Sequence, residues 1–397
     1  MLADKLDLSP SPFELRKREI LRELHNADIL DLTISSPMQA GLTFDITEDL
    51  QYLAKHSEWQ FQAPDACGQL YLRGAIANYS NNVISEELSK ILSCKTRSSS
   101  EPTDIFITAS SSESYSALFK VFCEKGDCIL TPNPGYPLID TLAELADLKI
   151  HPYFLKHSAV PAEWKIDLNS LDSIPPNTKI LLLIAPHNPT GHSPSKTEWN
   201  YIINFCEKHN LVLIVDEVFA AYSNRNIETQ KLTDSTIPIF FLNGISKSAG
   251  LPHIKVGWIC AQVPAQKEHD IYNALEFVLD SQLNCSSLSQ ALTARVLPKV
   301  ADFQNKVRER IKINREIIAN SKLQILNAVQ AEIIPSQGGW YQPIYFPEQD
   351  DIELCLSLLK EKYILTNPGF LFDFPDGWLV LSLLQNPARL IKFFECI

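Results

Sequence analysis

Short runs of continuous apolar residues, rich in branched side chains, punctuate the first two thirds of the chain: DIFIT (104–108), CILTP (128–132), KILLLIAP (179–186), LVLIVDEVF (211–219), IFFLNGI (239–245) and VGWICAQV (256–263). Runs that do not alternate with polar residues suit strands covered on both faces. Between them lie stretches of helical spacing, such as SSESYSALFKVFCEKG, stopped by Gly126, and KTEWNYIINFCEKHN. Strand and helix in alternation predict an α/β domain built on a mostly parallel sheet flanked by helices.

From about Tyr272 the pattern changes to long helical stretches, notably FQNKVRERIKINREIIANSKL, whose charged and apolar faces read as a connecting helix. Beyond it come the short strands GGWYQPIYF and GWLVLSLL, with the helical ELCLSLLKEKY between them. The expected division is a large α/β domain over residues 50–290 and a smaller α+β domain from 1–49 and 291–397. RSSSEPTD (97–104) reads as a polar loop.

With 397 residues, 45% of them hydrophobic, the chain can fill two cores. Its net charge of −12 argues against general nucleic-acid binding, which needs a basic surface. The nine cysteines are scattered and form no C-x-x-C pairs with matching histidines, so neither a disulfide framework nor a zinc site is indicated, and a reducing compartment fits. The first residues resemble neither a secretory signal nor a transit peptide, and no run reaches the ~18 to 20 apolar residues of a membrane span. A cytoplasmic protein is expected.

In a parallel sheet, ligands bind beyond the carboxyl ends of the strands, so polar residues at those ends are the candidates. DIFIT runs into ASSSES, where Ser111 and Ser112 open a helix whose hydroxyls and first-turn amides suit a phosphate; a serine-rich cap without a ligand gives the same pattern. KILLLIAP ends in HNPTG, a turn that fixes the amide of Asn188. LVLIV ends on Asp216, costly to bury without a cationic partner, although a structural salt bridge would serve equally. CILTPNPGYP ends at Tyr136, a stacking platform or a turn aromatic. IFFLNGI leads into SKSAGLPHIK, with Lys247 and Lys255; a buried ammonium must be paired, neutralised or put to chemical use. His187 and His192 flank the turn without a cysteine or carboxylate cluster and read as turn residues, so no metal is expected.

In their order along the chain, SSSES, PNPGYP, HNPTG, VDEVF and SK-x-x-GLP-x-x-K-x-G resemble the class I and II aminotransferases, the fold type I family that depends on pyridoxal phosphate. ILDLTISSP from Ile29, GQLYLRGAIA from Gly68 to Ala77 and GGWY from Gly338 to Tyr341 extend the likeness over most of the chain. The resemblance implies that Lys247 forms the Schiff base with pyridoxal phosphate and, once freed, moves the substrate proton. It implies Asp216 on the pyridine nitrogen, Asn188 on the phenolic oxygen, Tyr136 on the ring face, Ser111 and Ser112 on the phosphate, and Lys255 as a second cation there. An amino donor, an oxo-acid acceptor and a homodimer with its sites at the subunit boundary follow from the same resemblance. The partner's tyrosine on the phosphate would fall in WQFQAPDACG, where the aromatic close enough is Phe61.

The chain departs from the family at three places. Phe219 replaces the tyrosine of DEVY and removes a donor to the phenolic oxygen. Gly244 stands where a phosphate-binding serine is common. Val380 stands where an arginine usually grips the substrate carboxylate, which leaves Arg73, Arg389 or a carboxylate-free substrate as the alternatives. Trp340 and Tyr341 either line the substrate pocket or pack the small domain. The same equipment serves β-lyases, decarboxylases and racemases; a non-catalytic pyridoxal-phosphate-binding protein is a further alternative, against which stand the retained Lys247 and Asp216.

Overall fold

A computed structural model describes residues 9–25, 27–83, 104–159, 162–223, 236–283, 285–329 and 331–396. Of the polar loop expected over 97–104, Asp104 lies among them and the rest lies outside the described residues. The apolar runs form an 8-stranded sheet in the spatial order Ile105–Thr108, Gly257–Gln262, Ile239–Gly244, Val212–Asp216, Thr178–Ile184, Cys128–Asn133, Lys149–Ala159 and Ala162–Ile166. The central pairings are parallel, while Gly257–Gln262 runs antiparallel to both its neighbours and Ala162–Ile166 closes the far edge as a hairpin.

Successive side chains of a strand point to opposite faces. Leu181, Leu183, Leu213 and Val215 accordingly enter one core, and Ile180, Leu182, Val212 and Ile214 the other. Both faces are covered, by helices that include Ser111–Phe122 on one side, which is why these strands carry no polar alternates. Asp216 pairs in register with Ile184 and Leu242, so the parallel strands end along one edge. The turns that follow them therefore gather there.

A second, 4-stranded antiparallel sheet holds Glu332–Ile333, Tyr341–Tyr345, Trp378–Ser382 and Asn367–Pro368. The N-terminal segment reaches this part of the molecule, since Leu30–Asp31 pairs in parallel with Ile364–Leu365 and Phe13 meets Phe370 edge to face at 5.5 Å. The long helix Ala301–Val329 braces the chain beyond Ser382: Asn314 Nδ2 donates to the carbonyls of Leu383 and Gln385 at 2.7 and 2.8 Å.

Candidate active site

Asp216 ends the central strand on the face covered by the helix Ser111–Phe122 and is 6% exposed. Tyr115, on that helix, donates its hydroxyl to Asp216 Oδ2 at 2.6 Å, and the Val218 amide donates to Oδ1 at 3.0 Å. Burial pushes the carboxyl above the usual aspartate range, opposed by the Tyr115 and Val218 hydrogen bonds and by Lys247. Glu217, the next residue, is buried as well and is pushed up to about 8, by burial and by the charge of Asp216.

Lys247 lies on the single helical turn Ile245–Ser248 that follows the strand Ile239–Gly244. Its Nζ stands 5.0 Å from the Trp340 ring centre and 5.8 Å from that of Phe219. Burial lowers the ammonium to about 8, with Asp216 pulling the other way. A large share of the amine is thus neutral near pH 8, as a nucleophile or base requires. The carbonyls left free at the end of this turn are capped from outside: Tyr222 Oη donates to Lys247 O at 2.8 Å and Gln304 Nε2 to Ser248 O at 3.0 Å. Tyr222 also tilts against Trp340, 5.2 Å between ring centres.

The HNPTG turn closes with Gly191 N donating to His187 O at 2.7 Å. Gly191 sits at φ +70°, and a Cβ there would come within 1.8 Å of Ser336 Oγ and 2.4 Å of Gly338 O, so only glycine seats the turn against the GGWY segment. Asn188 is 7% exposed, and its Oδ1 has no partner among the described residues. The two histidines are used within the turn: His187 Nδ1 lies 2.9 Å from Thr190 Oγ1, and burial lowers its imidazole to about 3. His192 Nε2 lies 3.1 Å from Glu198 Oε1. Burial works against ionisation of Glu198, yet His192 and the amides of Ile166 and Ser195 outweigh it and hold the carboxyl at about 2.

Ser110 caps the helix Ser111–Phe122, its hydroxyl accepting from Glu113 N at 3.2 Å, so Ser111 and Ser112 occupy the first turn, where amides are free. Gly257 presses on this terminus, for a Cβ there would lie 2.6 Å from the Ser110 carbonyl carbon. Lys255, two residues earlier, is exposed and adopts φ +60°. Tyr136 is 39% exposed and forms one wall of a cavity of about 300 Å³, with Thr131, Ile184, Asp140 and Asp373 among its lining.

The structure resolves the three departures. Phe219 is 3% exposed and meets Trp340 edge to face at 4.9 Å, so its ring packs beside the lysine. A Cβ on Gly244 would fall 3.1 Å from Val256 O, which leaves little room for a serine. Val380 is fully buried, opposite Pro343 and Asn367. Both alternative cations are engaged: Arg73 Nε donates to Gly68 O at 2.9 Å and its Nη2 lies 3.3 Å from Asp65, while Arg389 pairs at the surface with Asp28 at 3.1 Å. Tyr115 and Tyr222, which bond Asp216 and the Lys247 carbonyl, and Gln304, which bonds the neighbouring Ser248 carbonyl, carry no sequence signal of a site.

The class I and II aminotransferase family matches residues 51–390. Tyrosine aminotransferase of Dictyostelium discoideum is 26% identical over 93% of this chain and 90% of its own length. S-alkyl-thiohydroximate lyase SUR1 of Arabidopsis thaliana is 25% identical over 76% of this chain, and the match spans 64% of that relative's length. Among solved structures, alanine aminotransferase from Pyrococcus furiosus superposes with a TM-score of 0.84 at 20% identity over 100% of both chains, a likeness of fold. With that match spanning both sheets and every turn around Lys247, the chain belongs to the class I and II aminotransferases, a family of pyridoxal-phosphate-dependent enzymes.

Proposed function

We infer that this enzyme moves an amino group between a primary amine or amino acid and an oxo acid, with Lys247 as nucleophile and base. The observation that carries the reading is Lys247 itself, a partly buried amine lowered to about 8 beside the buried carboxylate Asp216. The residues present fit pyridoxal phosphate: Asn188 has an unpartnered buried amide oxygen, Asp216 a desolvated carboxyl, and Ser111 and Ser112 a helix start with free amides. Asp216 would hold the ring nitrogen, Asn188 the phenolic oxygen and Tyr136 the ring face, with Ser111, Ser112 and Lys255 on the phosphate. Bound there, the cofactor supplies a carbonyl for the amine and an electron sink for substrate carbanion charge.

Phe219 and Trp340 wall the lysine with aromatic rings, and its burial among such neighbours favours the neutral form that accepts a proton. Tyr222 and Gln304 fix the backbone from which that amine projects. Val380 supplies no guanidinium and is fully buried, so that position offers a substrate carboxylate no cation. The match to a lyase supports a second reading, β-elimination through the same lysine.

The division into 50–290 and the remainder is supported by the pairing of Leu30–Asp31 with Ile364–Leu365. A homodimer is supported by Phe61 and Leu283, each 84% exposed, and Phe277, 76% exposed, since large apolar side chains left in water favour a partner surface. Among the described residues no helix is long and apolar enough to cross a membrane, and a cytoplasmic setting is part of the same reading.

The test is incubation with pyridoxal phosphate, an oxo acid and a panel of amino acids and carboxylate-free amines. New amino acid formed by the native protein and lost in Lys247→Ala supports transamination. Turnover by Lys247→Ala, or release of ammonia and an oxo acid without amino exchange, would overturn it, the second outcome in favour of the lyase.

A further inference from the structure

The helix Ser111–Phe122 bears on the candidate cofactor site at two points, at its own start and, through Asp216, at Tyr115. Its N-terminus, where Ser111 and Ser112 lie, packs closely against Gly257. One turn further on, about 5 Å along the axis, Tyr115 is 2% exposed and reaches across to Asp216 Oδ2 at 2.6 Å. The partners are 101 residues apart in sequence, and Tyr115 has no other polar partner among the described residues.

A carboxylate in this position has little else to hold it. Asp216 lies between Ile184 and Leu242 on the neighbouring strands, and among the described residues its ionised form is helped, besides Tyr115, by the Val218 amide and by Lys247. The other titratable groups beside it are Tyr136, whose hydroxyl stays protonated through the neutral range, and Glu217, pushed up to about 8 and so charged only toward the alkaline end. Tyr115 is therefore a donor that favours the ionised form by a short hydrogen bond to Oδ2, while the Val218 amide holds Oδ1 and the second lone pair of each oxygen is left open.

We propose that Tyr115 is a positioning residue that holds the Asp216 carboxylate ionised and oriented for the ring nitrogen of the cofactor. The proposal rests on the reading that Asp216 meets that nitrogen. The phenol stays protonated throughout: burial first, then the charge of Asp216, drive it well above its ordinary range, so it can only donate. Asp216 by contrast is poised between burial, which favours its neutral form, and the donors that oppose it. Losing the Tyr115 hydroxyl moves the balance toward the neutral acid, and the effect appears as pH falls.

The experiment is the dissociation constant of pyridoxal phosphate for apo-protein, measured by fluorescence quenching from pH 5.5 to 9 for the native chain, Tyr115→Phe, Asp216→Asn and the double variant. Ratios to the native protein cancel the titration of the cofactor itself. Tyr115→Phe is expected to bind about tenfold more weakly at pH 6, the loss of a hydrogen bond to a charged group, and to approach the native value at pH 9. In the Asp216→Asn background, Tyr115→Phe should change nothing further.

A loss that is equal at all pH values, or that persists in the Asp216→Asn background, would mean that Tyr115 only packs the helix and would overturn the proposal. If Asp216→Asn itself leaves binding unchanged, the role of Asp216 falls; if it weakens binding while Tyr115→Phe does not, only the role of Tyr115 falls. Should apo Tyr115→Phe melt well below the native protein, the same comparison is made with 3-fluorotyrosine incorporated at position 115 alone. That phenol is a stronger donor and must shift the pH dependence in the opposite direction.

Discussion

The edge of the large sheet and the face of the small one meet around Lys247, and they are built from opposite materials. At the large sheet's edge, Asp216, Glu217, Asn188 and Lys247 are polar groups drawn out of water, and the charge states of the two carboxyls and the lysine are moved by burial and by one another. The small sheet brings Val380, Trp340 and Tyr341, and its strand Trp378–Ser382 extends into an aromatic layer in which Trp378 stacks on Phe374 at 4.7 Å and on Tyr345 at 5.0 Å. Trp164, from the hairpin at the far edge of the large sheet, joins that layer 5.4 Å from Trp378. One side of the site is thus equipped to hold charge and the other to exclude it. The residues that match the family's motifs sit on the first side, and the departure at Val380 lies inside the small sheet.

Removing the lysine tests the charged side most severely. Lys247→Ala should lower turnover by at least about a thousandfold, some 4 kcal/mol of barrier, while the protein stays folded by circular dichroism. The mirror-image test puts charge on the apolar side. Val380→Arg places a guanidinium at a fully buried position opposite Pro343, and it should destabilise the fold by at least about 3 kcal/mol in denaturant unfolding. A folded Val380→Arg protein with improved turnover of carboxylate-bearing amines over carboxylate-free ones would instead mean that this position faces substrate and tolerates a clamp.

A smaller effect is expected at Glu198, which closes the capping box with Ser195 and meets His192. Its carboxyl is held at about 2, below the unfolded value near 4.3, so the stability it contributes is present above pH ~4.5 and is lost as pH falls toward 2. Glu198→Gln should therefore cost about 2 kcal/mol at pH 7, and the difference should shrink steadily when unfolding is repeated toward pH 3. The smallest effect has the opposite sign. Lys247 is lowered to about 8 from an unfolded value near 10.4, so its burial penalises the fold below pH 8, and the penalty disappears as pH rises past 10. Apo Lys247→Met should be more stable than the native chain by about 1 to 2 kcal/mol at pH 7, with the two converging near pH 10.5.

Much of the fold was legible because continuous apolar runs leave few choices for a chain that alternates strand and helix. The runs at 128–132, 179–186 and 239–245 lie on strands within one or two residues of their bounds, whereas LVLIVDEVF stops being a strand at Asp216. There the chain turns, and the Val218 amide folds back on the carboxylate. The motif residues at the strand ends were legible for the same reason, since a parallel sheet delivers those ends to one edge. Tyr115 was not, because a tyrosine at a buried helical position reads as core until the strand it faces is known. Tyr222 and Gln304 were hidden likewise, one in a turn and the other on a helix reached only after the chain has crossed the molecule.

The sequence by itself determined the alternation of elements, the order of the turns and the identity of the polar groups at the strand ends, because these depend on spacing along the chain. Tertiary structure alone decided their chemical state. Lys247 is lowered by burial at a place walled in part by Trp340, Asp216 is held by a hydroxyl 101 residues away, and Val380 is sealed between two strands. Desolvation and hydrogen bonding are properties of neighbours in space, and only the folded chain says who those neighbours are.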